Sequence, residues 1–465
     1  MLFAAAGAAM TAAHAALIWA SSGLTHATAT TFAAVLPLVL GLGLPAAFGL
    51  ALAPRLERVA VDRASLGVLI VAGLAMRMLW LGRPAPLEDD FYRYLWDGAV
   101  VARGLNPYAV APETIIGHPD AVAAYQGIAA AGQGIVSKIN FPDMRTIYPS
   151  VAQLAFALAH LIAPFELDGL RIVFLLAECT TLWLLVTLLR ELGRSPLWAA
   201  LYWWNPLPVF MLVGIAHVDA LVPPFVLGAL LLANRSKILA ALALLGLGAG
   251  VKVWPVVLAP ILLARLLAVP RQLVVALGVL GAVLALGVGP LLLSALKPDS
   301  GLAAYASGWS MQNGFFMWAV WALEQLTGDD EIAERILRGM ISLTTAGISL
   351  AVAVRGDATL RSTVVRCLIV AASVFYLSPA QFPWYGVWFL PLAALVPSWP
   401  LLLASATLPL YYLFYPLWET DRGDMFFYGV AFLHAVPVLG WLLLDAIRQH
   451  RENWLVARLR GFGRS

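Results

Sequence analysis

Residues 272–295 read QLVVALGVLGAVLALGVGPLLLSA. These 24 positions carry no formal charge, and a helix needs about 20 apolar residues to cross the hydrocarbon core of a bilayer. Working outward, comparable runs fall near 3–20, 31–53, 64–82, 169–189, 197–213, 218–233, 238–251, 254–268, 335–354, 364–378, 385–397, 401–417 and 427–446, fourteen with the first. Strands of a membrane barrel would be about half as long and would alternate. The composition agrees: of 465 residues 62% are hydrophobic and 12% charged, with a mean hydropathy of +0.85, whereas a soluble fold carries about 25% charged residues. The runs predict an all-α protein, a polytopic transmembrane helical bundle of about 14 spans. The short runs near 238, 254 and 385 are candidates for broken or half-spanning helices. The first run has no Lys or Arg before it and is followed at once by another, so it reads as a retained helix rather than a secretory signal.

Basic residues resist translocation and gather in cytoplasmic connections. Arg55, Arg58 and Arg63, then Arg190 and Arg194, Arg235 and Lys237, Arg265 and Arg271, Arg355, Arg361 and Arg366, and the tail with Arg448, Arg451, Arg458, Arg460 and Arg464 all fall on one side. This holds if the run Ile147 to Pro164 does not cross but is re-entrant or surface-lying. The chain then divides into N-terminal accessory helices (1–63), a transmembrane core (64–447) and a basic cytoplasmic tail (448–465), with both termini cytoplasmic. The other side receives the loop from 83 to 168, the segment Lys297 to Glu334, the turn Gln381 to Tyr385 and the acidic turn Glu419 to Asp424. The loop 83–168 is expected to be external and to carry interfacial helices; loops this long are functional or disordered, and its Trp, Tyr and Ile content argues against disorder. Cys179 and Cys367 sit in apolar runs and read as small core residues. A net charge of +3 is too small to suggest nucleic acid, and no internal repeat of the kind found in many transporters is evident.

The external loop opens with Glu88-Asp89-Asp90-Phe91-Tyr92-Arg93-Tyr94-Leu95-Trp96-Asp97-Gly98. Asp89 and Asp90 stand where a helix can start, as N-cap carboxylates accepting a backbone N–H. Phe91, Leu95 and Val101 make an apolar stripe for a membrane surface, and the helix should stop at Gly104 before Asn106-Pro107-Tyr108 turns the chain. Acids at a bilayer face are costly and usually have a task.

These residues, with GLNPYAVAP from Gly104, INFPDMRTIYPSVAQLAFALAH from Ile139, NPLPVFMLVGIAHVDAL from Asn205 and PWYGVWFLPLAAL from Pro383, resemble the GT-C superfamily of integral-membrane glycosyltransferases. The similarity is greatest to the polyprenol-phosphate-mannose-dependent mannosyltransferases and glycosyltransferase family 87. The resemblance covers most of the chain from Glu88 to about Leu395. It implies that an acceptor hydroxyl displaces polyprenyl phosphate from a lipid-linked sugar, with inversion, at the outer face of the bacterial cytoplasmic membrane. The partners it implies are that donor, a lipid or glycan acceptor and membrane lipids. Mannose is the sugar the resemblance favours, although no residue selects it over other sugars. Asp90 aligns with the family's aspartate as the general base; Asp89 is the alternative, and the two can share a proton.

Other candidates follow from chemistry. Lys252 interrupts an apolar run between Gly250 and Trp254, so it either binds the departing phosphate or snorkels to the interface. Arg93, one turn beyond the acids, is placed to orient them or reach phosphate, and Arg145 is a weaker choice. His217 and Asp219 are expected to bind donor or acceptor, Tyr108 and Tyr148 to line a sugar pocket, and Gln381, Trp384 and Tyr385 to stack on sugar or isoprenoid. Phe382 stands where the family often has His, which weakens a catalytic role for that turn. The segment Tyr305 to Asn313 is suited to closing over acceptor. Asp97 and Asn106 serve equally well as helix and turn architecture. No cofactor is expected: His217 and Asp219 are an alternative metal pair, but no third clustered ligand or HExxH pattern accompanies them, while the acid pair can serve as a base or as part of a weak divalent site. A flippase or transporter of lipid-linked sugars is the alternative function, and a surface-polysaccharide polymerase or ligase would use similar substrates.

Overall fold

The computed structural model describes residues 2–117, 123–132 and 134–462, without the side chains of 116, 117, 123, 124 and 450–462; Arg464 and the side chains of Arg451, Arg458 and Arg460 lie outside this set. The described chain is helical, with no β-strand and one isolated bridge between Met311 and Ala380. The helices used below are α1 (Leu2–Ser21), α2 (Phe32–Leu52), α3 (Arg63–Met78), α4 (Phe91–Ala102), α5 (Ser150–Ile162), α6 (Leu167–Glu191), α7 (Val222–Asn234) and α8 (Ile238–Ala249).

Eight helical stretches among the described residues are long and apolar enough to cross a membrane, or nine if one bent pair is a single span. The sequence suggested about fourteen. The difference lies in helix continuity: Ser150–Ile162, Ile238–Ala249 and Trp254–Leu266 are apolar but short, and α3 has 16 residues. The run from Ile147 to Pro164, read as non-crossing, forms the 13-residue α5.

Local chemistry sets the ends. Asp62 and Ser65 make a capping box at the start of α3, and the Thr31 hydroxyl accepts from the Ala34 N–H at the start of α2. The bent pair, Pro206–Gly214 and Val218–Asn234, turns by 107° at Ala216, whose φ is +56°. A break inside a bundle strands carbonyls that have no intrahelical partner. Arg171 on α6, fully buried, satisfies two of them, donating from Nε to the Val213 carbonyl at 3.0 Å and from Nη2 to that of Gly214.

The apolar stripe of α4, expected to face a membrane surface, turns into the protein: the helix packs against α5 and α6, and Phe91, Tyr94, Leu95, Trp96, Ala99 and Val100 are buried. It ends at Ala102, with Gly104 left-handed at φ +74°. A Cβ at Gly98 would lie 2.3 Å from the Phe156 carbonyl oxygen, so only glycine lets α4 cross α5 this closely. The first N–H groups of α5 are capped from outside the helix: those of Val151 and Ala152 donate to the Gly250 carbonyl at 2.9 and 3.2 Å. The turn after α8 is thereby tied to the start of α5, and Lys252 stands in that turn.

Candidate active site

A cavity of about 690 Å³ opens at the end of the bundle that carries the acidic loop, within the roughly 300–1,000 Å³ typical of ligand pockets. Glu88, Asp89, Asp90, Arg93 and Lys252 line it with an aromatic wall that includes Tyr148, Tyr305, Trp384 and Tyr385.

The acids do not cap α4 as the sequence suggested. Asp90 already has helical backbone angles, φ −51° and ψ −30°, and makes no side-chain cap; capping needs an extended N-cap residue. Its carboxylate is free to face the cavity, and its side chain is 37% exposed. The turn before it is unusual: Leu87 is left-handed at φ +58° and buried. Two donors hold its carbonyl, His26 Nε2 at 2.9 Å and the Tyr415 hydroxyl at 2.9 Å. Non-glycine residues in this region cost on the order of 1–3 kcal/mol and persist where surrounding structure enforces them.

Three adjacent carboxyls in a partly dry site raise one another's proton affinity. Burial and the Asp89 charge push Asp90 up to about 6, against the pull of Lys252 and Asn140. Asp89 is also raised by burial, opposed by the Asn140 amide, which donates to Oδ1, and by His26, whose Nδ1 lies 3.9 Å from Oδ2. Glu88 is enclosed and raised well above the usual carboxylate range, by burial first and then by Asp90 and Asp89.

Lys252 does not reach away from the protein to the interface. Its Nζ donates to Asp219 Oδ2 at 2.8 Å and lies 3.8 Å from the ring centroid of Tyr385 and 5.5 Å from that of Trp388. Asp219 accepts from Trp388 Nε1 at 2.7 Å on its other oxygen, so the carboxylate anchors the ammonium while Lys252 still lines the cavity.

The remaining candidates divide by position. Tyr148, Trp384 and Tyr385 face the cavity. His217 and Asp219, expected to present polar atoms to a sugar, are fully buried and stand behind the wall, His217 stacked on Trp384 at 3.8 Å. Arg93 faces the cavity but donates to the Phe141 and Met144 carbonyls, both at 2.9 Å, rather than to the acids. Arg145, also at the cavity, pairs with Asp299 at 2.6 Å and ties down the Tyr108 and Ala109 carbonyls. Tyr108 and Gln381 are outside the lining: Tyr108 donates to the Tyr148 carbonyl at 2.8 Å, and Gln381 donates to the Tyr376 and Ser378 carbonyls. Both are architectural here. So are Asp97, which accepts from Thr146 and Gln153, and Asn106, which accepts from the Tyr108 N–H.

The Tyr305–Asn313 segment is tied to the 381 turn by Met311, whose N–H donates to Pro379 and whose carbonyl accepts from Gln381. The Tyr305 and Tyr385 hydroxyls lie 3.0 Å apart. Residues that sequence reasoning did not single out are Glu88, His26, Asn140 and Tyr415. Glu88 was visible as the first of three consecutive acids; the other three had no local signal, because they come to the site from distant segments. Among the described residues no group of three or more His, Cys, Asp or Glu side chains is arranged to hold a metal ion.

Residues 150–268 match a family model described as MptA_B family, alpha-(1->6)-mannopyranosyltransferase, N-terminal domain. That stretch contains His217, Asp219 and Lys252 but not the acidic loop. No curated protein and no solved structure gives a significant match.

Proposed function

The match over residues 150–268 supports a GT-C-like membrane mannosyltransferase, and from that premise we propose that the chain moves mannose from a polyprenyl-phosphate donor to a hydroxyl of a lipid or glycan acceptor. The reaction inverts the anomeric centre and takes place at the periplasmic face of the bacterial cytoplasmic membrane. One observation carries the reading: the acids and Lys252 line a single aromatic-walled cavity, so a base and a cation for a leaving phosphate face one bound sugar.

In this reading Asp90 takes the acceptor hydroxyl proton as the new C–O bond forms. The electron pair of the breaking anomeric C–O bond leaves with the phosphate, towards Lys252. Asp219 fixes the ammonium through one N–H and leaves the others for the phosphate oxygens. Tyr148, Trp384 and Tyr385 offer faces for the pyranose, and Trp254, Phe414, Trp418 and Phe427, also in the lining, offer apolar surface to the first isoprenes. Asp89, held by Asn140, keeps a second negative charge beside the base.

The test is incubation of the purified protein with radiolabelled polyprenyl-phosphate mannose and extracted envelope glycolipids. Label should pass to glycolipid only when acceptor is present, and Asp90→Asn should lower transfer by about 10²–10⁴-fold, the usual contribution of a general base, with its folding intact. Undiminished turnover in Asp90→Asn would remove it as the base. Label crossing the bilayer without passing to an acceptor would replace transferase by flippase, and loss of transfer with chelator would add a divalent ion to the site.

A further inference from the structure

We propose that Glu88 and His217 form a positioning chain for Asp90: Glu88, as a neutral acid, donates to Nε2 of His217, and the Nδ1–H of the uncharged imidazole donates to Oδ2 of Asp90. This deepens the reading of Asp90 as the base and rests on it.

The imidazole stands between two carboxyls. Nε2 lies 3.8 Å from Glu88 Oε2 and Nδ1 lies 3.9 Å from Asp90 Oδ2, while stacking on Trp384 at 3.8 Å and 14° fixes the ring plane. Both gaps exceed hydrogen-bond contact, and such contacts in catalytic sites commonly tighten once substrate is bound. The nitrogen that faces Glu88 is free to accept: His217 Nε2 is buried without a hydrogen-bond partner among the described residues, and so is Oε1, the other oxygen of the Glu88 carboxyl, an arrangement that buried polar atoms rarely tolerate.

Proton bookkeeping gives the direction. Neutral imidazole has one N–H and one lone pair, so between two carboxyls it can donate to only one and must accept from the other. Two ionised acids would call for an imidazolium, which is expensive in a ring 1% exposed and close to the Lys252 ammonium that Asp219 holds two residues along. Of the two acids, Asp90 is the more open to the cavity, with 37% of its side chain exposed against 8% for Glu88, so Glu88 keeps the proton. The other groups around Glu88 favour this. Asp89 and Asp90 are anionic neighbours, and Tyr411, Tyr412 and Tyr415 interact electrostatically with Glu88 from the 408–415 segment. His26 faces Asp89 rather than Glu88. Asp90, with Oδ2 held, presents Oδ1 to the acceptor hydroxyl.

Glu88→Gln separates this from any role of Glu88 as an anion, because the amide N–H replaces the acid O–H as donor to Nε2. Transfer from radiolabelled polyprenyl-phosphate mannose is measured against pH for the wild type, Glu88→Gln, Glu88→Leu, His217→Phe and Asp90→Asn. Glu88→Gln should keep kcat within about threefold and leave the acid limb in place. Glu88→Leu and His217→Phe, which keeps a ring against Trp384 but has no donor, should lower kcat by roughly 10- to 100-fold, the scale of a lost hydrogen bond to a charged group, and move the acid limb up with little change in donor KM. Difference infrared spectra at neutral pH should show a carboxylic C=O stretch that is lost in Glu88→Gln, a readout available even if Glu88→Leu fails to fold. Glu88→Gln as impaired as Glu88→Leu, a wild-type profile in Glu88→Leu, or no such band would each overturn the chain. Full turnover in Asp90→Asn would instead overturn the base itself, so the two failures are distinct.

Discussion

Asp90 makes no side-chain cap to α4 and lines the cavity instead. Burial and the Asp89 charge hold its carboxyl at about 6, above its ordinary 3.8. A base must be ionised to accept a proton, so transfer should fall as pH drops through about 6, giving an acid limb there in kcat/KM against pH, which reports the substrate-free site; a limb near 4 would show that the acids do not interact as placed. The same shift has a stability consequence with a definite sign. A carboxyl whose pKa is raised by folding binds its proton more tightly in the folded state, so its contribution is full below 3.8 and is lost as pH rises through about 6. Asp90→Asn removes that loss. Its melting temperature in detergent should equal or exceed that of the wild type at pH 7–8, while the two converge or reverse at pH 4. A variant that melts lower at pH 7–8 would mean that Asp90 contributes to the fold as well as to the site. The acid pair was legible because three carboxyls following an apolar run are conspicuous. The Leu87 turn beneath them was not, because its left-handed backbone depends on donors from His26 and Tyr415, which stand 61 and 328 residues away.

Among the elements, α4 depends on its crossing with α5. At Gly98 the neighbouring backbone oxygen lies within the volume a methyl group would occupy, and backbone cannot rotate aside as a side chain can. Gly98→Ala should therefore destabilise by at least the roughly 1–3 kcal/mol of core overpacking and lower activity by moving the helix that begins at Asp90. An unchanged melting temperature and unchanged transfer would show that α4 has room to shift. Arg77 on α3 and Glu178 on α6 pair at 2.6 Å with both side chains fully buried, and the Tyr202 hydroxyl donates to the second Glu178 oxygen at 2.7 Å. Replacing Arg77 by Met leaves that carboxylate unpaired, a loss of about 3–5 kcal/mol for a broken buried pair, which thermal melting would register. Span composition was readable from apolar runs, but continuity was not. Apolarity says that a segment avoids water; where the helix breaks depends on partners for the freed carbonyls, such as Arg171 under Gly214, and those partners come from other parts of the chain.

For the whole molecule, the proposed orientation in the membrane rests on the separation of charge. The carboxyl-lined cavity occupies one end of the bundle, and the turn carrying Glu419 adjoins it through Trp418 in its lining. Elsewhere, Arg194 pairs with Glu57 and Arg235 with Glu191, linking basic connections that the positive-inside tendency assigns to the cytoplasm. The N-terminal helices, expected as an accessory addition, contribute to the site as well, since His26 in the α1–α2 connection holds the Leu87 turn. A donor whose sugar is presented outside requires the cavity to open away from the cytoplasm. In a background lacking Cys179 and Cys367, Glu419→Cys should react with a membrane-impermeant maleimide in intact spheroplasts, and Lys237→Cys, at an exposed position between α7 and α8, only after permeabilisation. The reverse pattern would place the acids in the cytosol, where nucleotide sugars rather than externally presented lipid-linked ones are at hand, and the proposed donor would fall with it. Labelling of both from outside would mean that α7 and α8 do not return the chain to the cytoplasmic face, and the sidedness read from the basic residues would have to be redrawn.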